Sequence, residues 1–225
     1  MPSLTAVSHH LTLALLNNMG LRTLIRDRFL SDIQPYKPQN FQKPANILEI
    51  PSAWKGLESI IEDIINQFNL ERKNCIEFGV EFGYSAVTFS NFFEKVIGVD
   101  TFEGDQHTTN KEEHYEETKK RLACYNNIEL FKSDYRDWIK TDTQHYNLAH
   151  VDIVHNYKET YECGLWAAEH SDCTIFHDTE SFAEVRKAVK DIAKASGQKL
   201  YNYPNHHGLG ILINTKKLHL QKVNS

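Results

Sequence analysis

Glu77, Gly79, Gly83 and Ser85 are the residues of this chain best placed to do chemistry. They stand in CIEFGVEFGYS, Cys75 to Ser85, and Asp100 closes the apolar run KVIGVD fifteen residues beyond Ser85. An apolar run thus ends in an acid, enters a turn with two glycines and opens a helical stretch, after which a second apolar run ends in a carboxylate. A nucleotide-like ligand needs these parts: glycines where the backbone must come close, a helix N-terminus, and an acid for ribose hydroxyls. The spacing is E-x-G-x-x-x-G-x-S, not the G-x-G-x-x-G that cradles a pyrophosphate. An adenosyl ligand without phosphates fits better, and S-adenosylmethionine is the common one.

The elements that must position these residues follow from periodicity. From Asn74 onward strand and helix signals alternate. Strands are expected at Cys75–Phe78, Val96–Val99, Ile128–Lys132, Leu148–Val154, Cys173–Phe176, Lys199–Tyr203 and Gly208–Ile213. Helices are expected at Tyr84–Phe93, Lys111–Tyr125, Asp134–Lys140, Tyr157–His170 and Ser181–Ala195. Units of this size call for an α/β, Rossmann-like doubly wound sheet, mostly parallel, with helices on both faces. A short turn at Pro204–His207 makes the last two strands an antiparallel hairpin.

Upstream, residues 1–51 read as an N-terminal helical extension and a Pro-rich strap. Leu11 to Leu30 has helical spacing, and Asp32 to Pro51 holds four of the six prolines. Ser52 reads as the N-cap of a helix reaching about Leu70. The main domain is expected over 52–215, with a polar tail over 216–225.

In open parallel sheets ligands sit beyond the carboxyl ends of the strands. Those ends carry Glu77 with Gly79 and Gly83, then Asp100-Thr101-Phe102, Ser133-Asp134-Tyr135, Asp152 with His155, and His177-Asp178-Thr179. Helix capping is the competing explanation for Asp134 and Ser181; it accounts for less at Asp100, which precedes a loop. His150 reads as a packed strand residue.

Composition bounds the partners. The chain has 225 residues, 40% of them hydrophobic, enough for one domain with a substantial core. A net charge of −5 and a pI near 6.2 argue against a nucleic-acid partner. The scattered cysteines Cys75, Cys124, Cys163 and Cys173 form no C-x-x-C pair, which fits a reducing cytoplasm. LTLALL is too short to span a membrane, so a cytoplasmic protein is expected. The N-terminal amphipathic stretch offers a surface for homo-oligomer formation.

From Ile76 to Asp178 the chain resembles the class I S-adenosylmethionine-dependent methyltransferases. It is most similar to the small family of macrocin-type sugar O-methyltransferases, the family 24 type. The carriers are EFGVEFGYS, VDTFEGD, HVDIVHNYKE and IFHDT, and the likeness spans roughly Trp54 to Ile213. It implies a seven-stranded sheet with its last strand reversed. It implies that Glu77, Gly79 and Gly83 surround the methionine half of the cofactor with Tyr84 and Ser85 nearby. Asp100 would take the ribose hydroxyls with Thr101 and Phe102 following it, and Asp134 and Tyr135 would meet the adenine.

In that fold the strands ending at Asp152 and at His177-Asp178 are neighbours. Two carboxylates and an imidazole there suit a divalent ion, Mg²⁺ or Mn²⁺, with Asp152, His177 and Asp178 as ligands. His155, three residues after Asp152, is the expected general base. Ile153 and Val154 stand where the family has a glycine and a second acid.

The expected activity is methyl transfer to a hydroxyl of a small polyhydroxylated acceptor. The segment Glu103 to Tyr125, with His107, His114 and Tyr115, is long enough for a lid. The hairpin tip Tyr203–His207 is a candidate acceptor wall, and Trp54 a candidate cover for the adenosyl pocket. Competing readings are a cofactor-binding protein without metal or catalysis, and an NAD-dependent oxidoreductase. A nucleic-acid methyltransferase is disfavoured because no N/D-P-P-Y/F motif is present.

Overall fold

The computed structural model describes residues 33–104 and 112–215. The helices expected within Leu11–Leu30, and with them the oligomer surface, lie outside the described residues, as do His107 and the tail 216–225.

A single mixed sheet organises these residues. In chain order its strands are β1 (Gln34–Pro35), β2 (Asn74–Phe78), β3 (Lys95–Asp100), β4 (Ile128–Lys132), β5 (Tyr146–Val151), β6 (Ser171–His177), β7 (Lys199–Tyr203) and β8 (Leu209–Ile213). Across the sheet the order is β1-β7-β8-β6-β5-β2-β3-β4. Among the described strands only β8 runs antiparallel to its neighbours, β6 and β7. The expected reversed last strand is therefore present. The described sheet has eight strands, not seven, because Gln34 and Pro35 of the strap pair in parallel with Tyr201 and Asn202 at the edge. A two-residue strand carries no periodic signal, and an edge is where proline is tolerated in a sheet.

The helices are α1 (Ile61–Phe68), α2 (Tyr84–Ser90), α3 (Tyr115–Leu122), α4 (Tyr135–Thr141), α5 (Tyr157–Glu169) and α6 (Ala183–Ser196). Side chains of successive strand residues leave on opposite faces, and both faces are covered. Cys75, Leu148, Cys173 and Ile175 pack with Ile61, Ile64 and Ile65 of α1 and Phe89 of α2. Ile76, Ala149, Phe176 and Leu212 pack on the other side with Cys163 and Ala167 of α5 and Val189 and Ile192 of α6. Burial on both faces explains the unbroken apolar run of β8, LGILI, whereas β5 and β6 bury polar residues as well, Asn147 and His150 in one and Ser171, Asp172 and Thr174 in the other.

Several boundaries differ from expectation, and the helices expected over Tyr84–Phe93 and Lys111–Tyr125 run over Tyr84–Ser90 and Tyr115–Leu122. Ser52 does not cap a helix: its Oγ accepts from the Trp54 backbone N at 3.1 Å, and helical structure starts only at a 3₁₀ turn, Leu57–Ile60. Nor does Ser181 cap α6, whose N-cap is Phe182; Ser181 Oγ meets His207 Nδ1 instead. Strand β5 stops at Val151, so Asp152 to His155 form a turn.

The strap crosses α1 and is pinned there by Asp63. That carboxylate accepts from the Tyr36 hydroxyl at 2.5 Å and from the backbone N of Gln39 and Asn40 at 3.1 and 2.9 Å.

The strand order reverses between β2 and β5, where the turns that follow them diverge and leave a crevice. At Gly79 (φ +89°) the two turns come close, for an added Cβ would stand 1.8 Å from the Asp152 carbonyl oxygen. Gly79→Ala must therefore both adopt a left-handed conformation and move backbone. It should cost about 2–5 kcal/mol and lower Tm by roughly 5–15 °C in a thermal melt. An unchanged melting curve would show that the contact is not tight in solution.

Candidate active site

The crevice opens into a cleft of about 960 Å³, at the upper end of the size range of small-molecule sites. Its walls include strap residues Ile50–Trp54, the β2–α2 turn, the ends of β3 and β6, and the turn after β5.

The glycine turn is held from two sides. Val80 N and Glu81 N donate to Asp100 Oδ2 at 2.7 and 2.8 Å, and Phe102 N donates to Oδ1 at 2.7 Å. Asp100 thus lines the cleft while bracing the turn with both oxygens. On the opposite side one face of α3 clasps the turn. Thr118 Oγ1 donates to the Glu81 carbonyl, Arg121 Nη1 to the Phe82 carbonyl, and Leu122 fills the space that a Cβ on Gly83 would need. The part of the expected lid from His114 onward is therefore a packed brace.

Not every expected cofactor residue faces the cleft. Gly79, Tyr84, Ser85, Asp100, Thr101, Asp134 and Tyr135 line it. Glu77, Gly83 and Phe102 do not. Phe102 turns into a cluster with Val80, Ala86, Val87 and Leu122, and Gly83 (φ +90°) is the N-cap residue of α2. Asp134 caps α4: its Oδ1 accepts from Arg136 N at 2.7 Å and its Oδ2 pairs with Arg136 Nη1 at 2.8 Å. Arg136 also pairs with Glu159, and both line the cleft. Sequence reasoning missed that ion pair, whose members lie 23 residues apart on different helices.

Glu77 is fully buried and acts from beneath. Strand register sets it beside His150, whose Nδ1 lies 2.8 Å from Glu77 Oε1. Trp54 Nε1–H donates to His150 Nε2 at 3.2 Å. With Nε2 accepting, the proton of the imidazole belongs on Nδ1, which donates to the carboxylate. Burial pushes the Glu77 carboxyl up, and the His150 bond opposes it. Ser85 tempers the rise as well, yet among the described residues Oε2 meets no partner at hydrogen-bond geometry. This buried line carries Trp54 into the cleft wall. Glu77 and His150 are each the residue before the last of their strands, a signal legible only once β2 and β5 are known to be neighbours.

The second corner gathers Asp152, His155, His177 and Asp178. Register places Val151 beside Phe176, so Asp152 follows at the level of His177. His155 Nε2 lies 2.9 Å from Asp178 Oδ2 and 3.4 Å from Asp152 Oδ1. His177 Nδ1 lies 3.1 Å from Asp152 Oδ2, and its Nε2 3.3 Å from the His206 carbonyl. Asp178 has φ +63°, a conformation aspartate tolerates, and directs its carboxylate at both imidazoles. Ligating atoms of Asp152, His155 and Asp178 all lie within 4.8 Å of one another.

The expected grouping is thus altered. The ligating atoms that converge are those of Asp152, His155 and Asp178, while His177 is engaged at both ring nitrogens by Asp152 and the His206 carbonyl, so His155 takes its place in the candidate ligand set. The hairpin tip does not line the cleft; it backs the corner through the His206 carbonyl.

Charge in this corner is self-balanced. Burial would push the Asp152 carboxyl up, but His177 and His155 outweigh it and hold the group well below the usual carboxylate range. Burial would lower His155, yet its bonds with Asp152 and Asp178 raise it to about 10. His177 is raised against its burial in the same way, chiefly by Asp152. At neutral pH His155 is therefore protonated and cannot serve as a base.

No family model matches the sequence, and no curated protein matches it. Solved structures do match in three dimensions. A putative caffeoyl-CoA O-methyltransferase from Staphylococcus aureus superposes with a TM-score of 0.55 at 14% identity, over 74% of this chain and 85% of that one. A putative O-methyltransferase from Klebsiella pneumoniae gives 0.53 at 12% identity, over 92% and 96%. The chain has the Rossmann-like methyltransferase fold. The O-methyltransferase TomG from Streptomyces achromogenes, involved in tomaymycin synthesis and solved with S-adenosylmethionine, gives 0.52 at 14% identity, over 70% and 78%. Within this methyltransferase fold the Gly79–Gly83 turn and the Asp152 corner share one cleft. Among the described residues no helix is long and apolar enough to cross a membrane.

Proposed function

We propose that the protein is an S-adenosylmethionine-dependent O-methyltransferase acting on a small hydroxylated acceptor, with a divalent ion in the Asp152 corner. The observation that carries this reading is the shared cleft: an adenosyl-type turn braced by Asp100 lies beside a cluster of two carboxylates and an imidazole. The O-methyltransferases among the structural neighbours support it.

Bound in the cleft, the cofactor would supply an electrophilic methyl group on its sulfonium. An ion held by Asp152, His155 and Asp178 would lower the pKa of an acceptor hydroxyl and fix its approach. The protein's own residues do the remaining work. Asp100 holds the glycine turn and keeps an acceptor site toward the ribose. Asp134 and Arg136 shape the far wall, and Trp54, fixed by His150, roofs the cleft and excludes water. His155 serves this site as a ligand rather than as the base, since one Nε2 lone pair cannot do both. His177, tied to the His206 carbonyl, orients Asp152.

A direct assay tests the reading. Purified protein with labelled cofactor and a mixed panel of sugars and phenols should transfer methyl groups, and EDTA should abolish transfer until Mn²⁺ or Mg²⁺ is restored. S-Adenosylhomocysteine should raise Tm where NAD does not. Stabilisation by NAD alone would overturn the proposal in favour of an oxidoreductase.

A further inference from the structure

His114 is a polar residue in the cleft wall that the proposed chemistry does not use. It is the N-cap residue of α3 and only 4% exposed. Its ring lies between Phe82 and Phe102, with centroids 4.7 and 5.9 Å away. Nδ1 lies 2.9 Å from the Glu112 carbonyl oxygen, which can only accept, so Nδ1 carries the proton. Nε2 is left as an acceptor, buried and without a partner among the described residues. A buried acceptor left unmet needs an explanation, and a ligand donor in the adjoining cleft supplies one.

The neighbourhood says which ligand group it awaits. His114 N donates to the Phe102 carbonyl at 3.0 Å, and Phe102 N donates to Asp100 Oδ1. The imidazole therefore borders the side of the cleft where Asp100, Thr101 and Glu81 lie. A carboxylate offers about four acceptor positions, and three of Asp100's are occupied by backbone N–H groups. A vicinal diol brings two donors, one more than Asp100 has room for.

We infer that His114 Nε2 accepts a hydrogen bond from one hydroxyl of the ribose, sharing the diol with Asp100. This rests on the methyltransferase reading, because it presumes an adenosyl ligand in the cleft. It makes His114 a binding residue, with no part in the transfer step.

Calorimetric titration separates this role from a structural one. The ligands are S-adenosylhomocysteine and its 2′-deoxy and 3′-deoxy analogues. The variant His114→Phe keeps the aromatic wedge, and His114→Asn keeps a donor toward Glu112 while removing Nε2. Either variant should bind S-adenosylhomocysteine about 5- to 30-fold more weakly than wild type. Against one of the two deoxy analogues, variant and wild type should bind alike, because the lost hydroxyl is the one His114 holds. Equal weakening toward all three ligands, or none toward S-adenosylhomocysteine, would overturn the inference. Should His114→Phe fail to fold as judged by circular dichroism, His114→Asn decides by the same comparison. If wild type ignores S-adenosylhomocysteine altogether, the broader methyltransferase reading falls, and this inference with it.

Discussion

Replacing Asp100 by alanine should weaken S-adenosylhomocysteine binding by about one to two orders of magnitude, since a hydrogen bond to a charged group is worth about 1.5–3 kcal/mol. The variant should also melt earlier. Its carboxylate is the common acceptor for Val80, Glu81 and Phe102 N–H groups, and all three lose their partner at once. Asparagine should be little better, because its amide must point N–H donors at backbone donors on one side. Calorimetry with a parallel thermal melt reads both effects. Undiminished affinity in Asp100→Ala would remove Asp100 from the ribose site.

Asp152→Asn should produce the second large effect. It removes a proposed ion ligand and leaves His177 without its nearer carboxylate. Substitutions one shell outside a metal cost roughly 10–100-fold in affinity or activity, and loss of a ligand should cost no less. Mn²⁺ titration and Mn²⁺-dependent transfer should both fall by at least that factor. The pH dependence gives an independent check. An ion needs the His155 Nε2 lone pair, and the protein holds a proton there up to about pH 10. Raising the pH therefore favours the ion, by up to about tenfold per unit between pH 7 and 9, flattening above 10. In Asp152→Asn that rise should level off at lower pH, because one of the two carboxylates retaining the proton is gone. Ion affinity independent of pH over this range would exclude His155 as a ligand.

Much of this site could be read before the fold was known, and the reasons are local. Strands that alternate with helices betray themselves as apolar runs, and parallel pairing obliges their carboxyl ends to share an edge. Asp100, Asp152 and Asp178 stand out for that reason; the capping of α4 by Asp134 enters only as the competing explanation to an adenine contact. What escaped depends on contacts distant in sequence. Choosing between His155 and His177 requires knowing that a carbonyl on the hairpin, 29 residues away, occupies the second nitrogen of His177. The bond from Trp54 to His150 spans 96 residues. Phe102 looked like part of the cofactor wall because it follows Asp100, but its left-handed backbone (φ +56°) turns the ring inward. The two-residue strand β1 has no pattern to find.

The cleft wall contributed by Ile50–Trp54 comes from outside the alternating units that supply the rest, and the described strap is joined to those units by the β1–β7 pairing, by Asp63, by the Asn46–Asn91 bonds and by the buried Tyr36 and Trp54. Donor recognition and acceptor selection can therefore diverge separately. Substitutions at the half-buried or exposed wall positions Ile50 to Ala53, leaving Trp54 in place, should retune which alcohol is methylated while affinity for the methyl donor stays put.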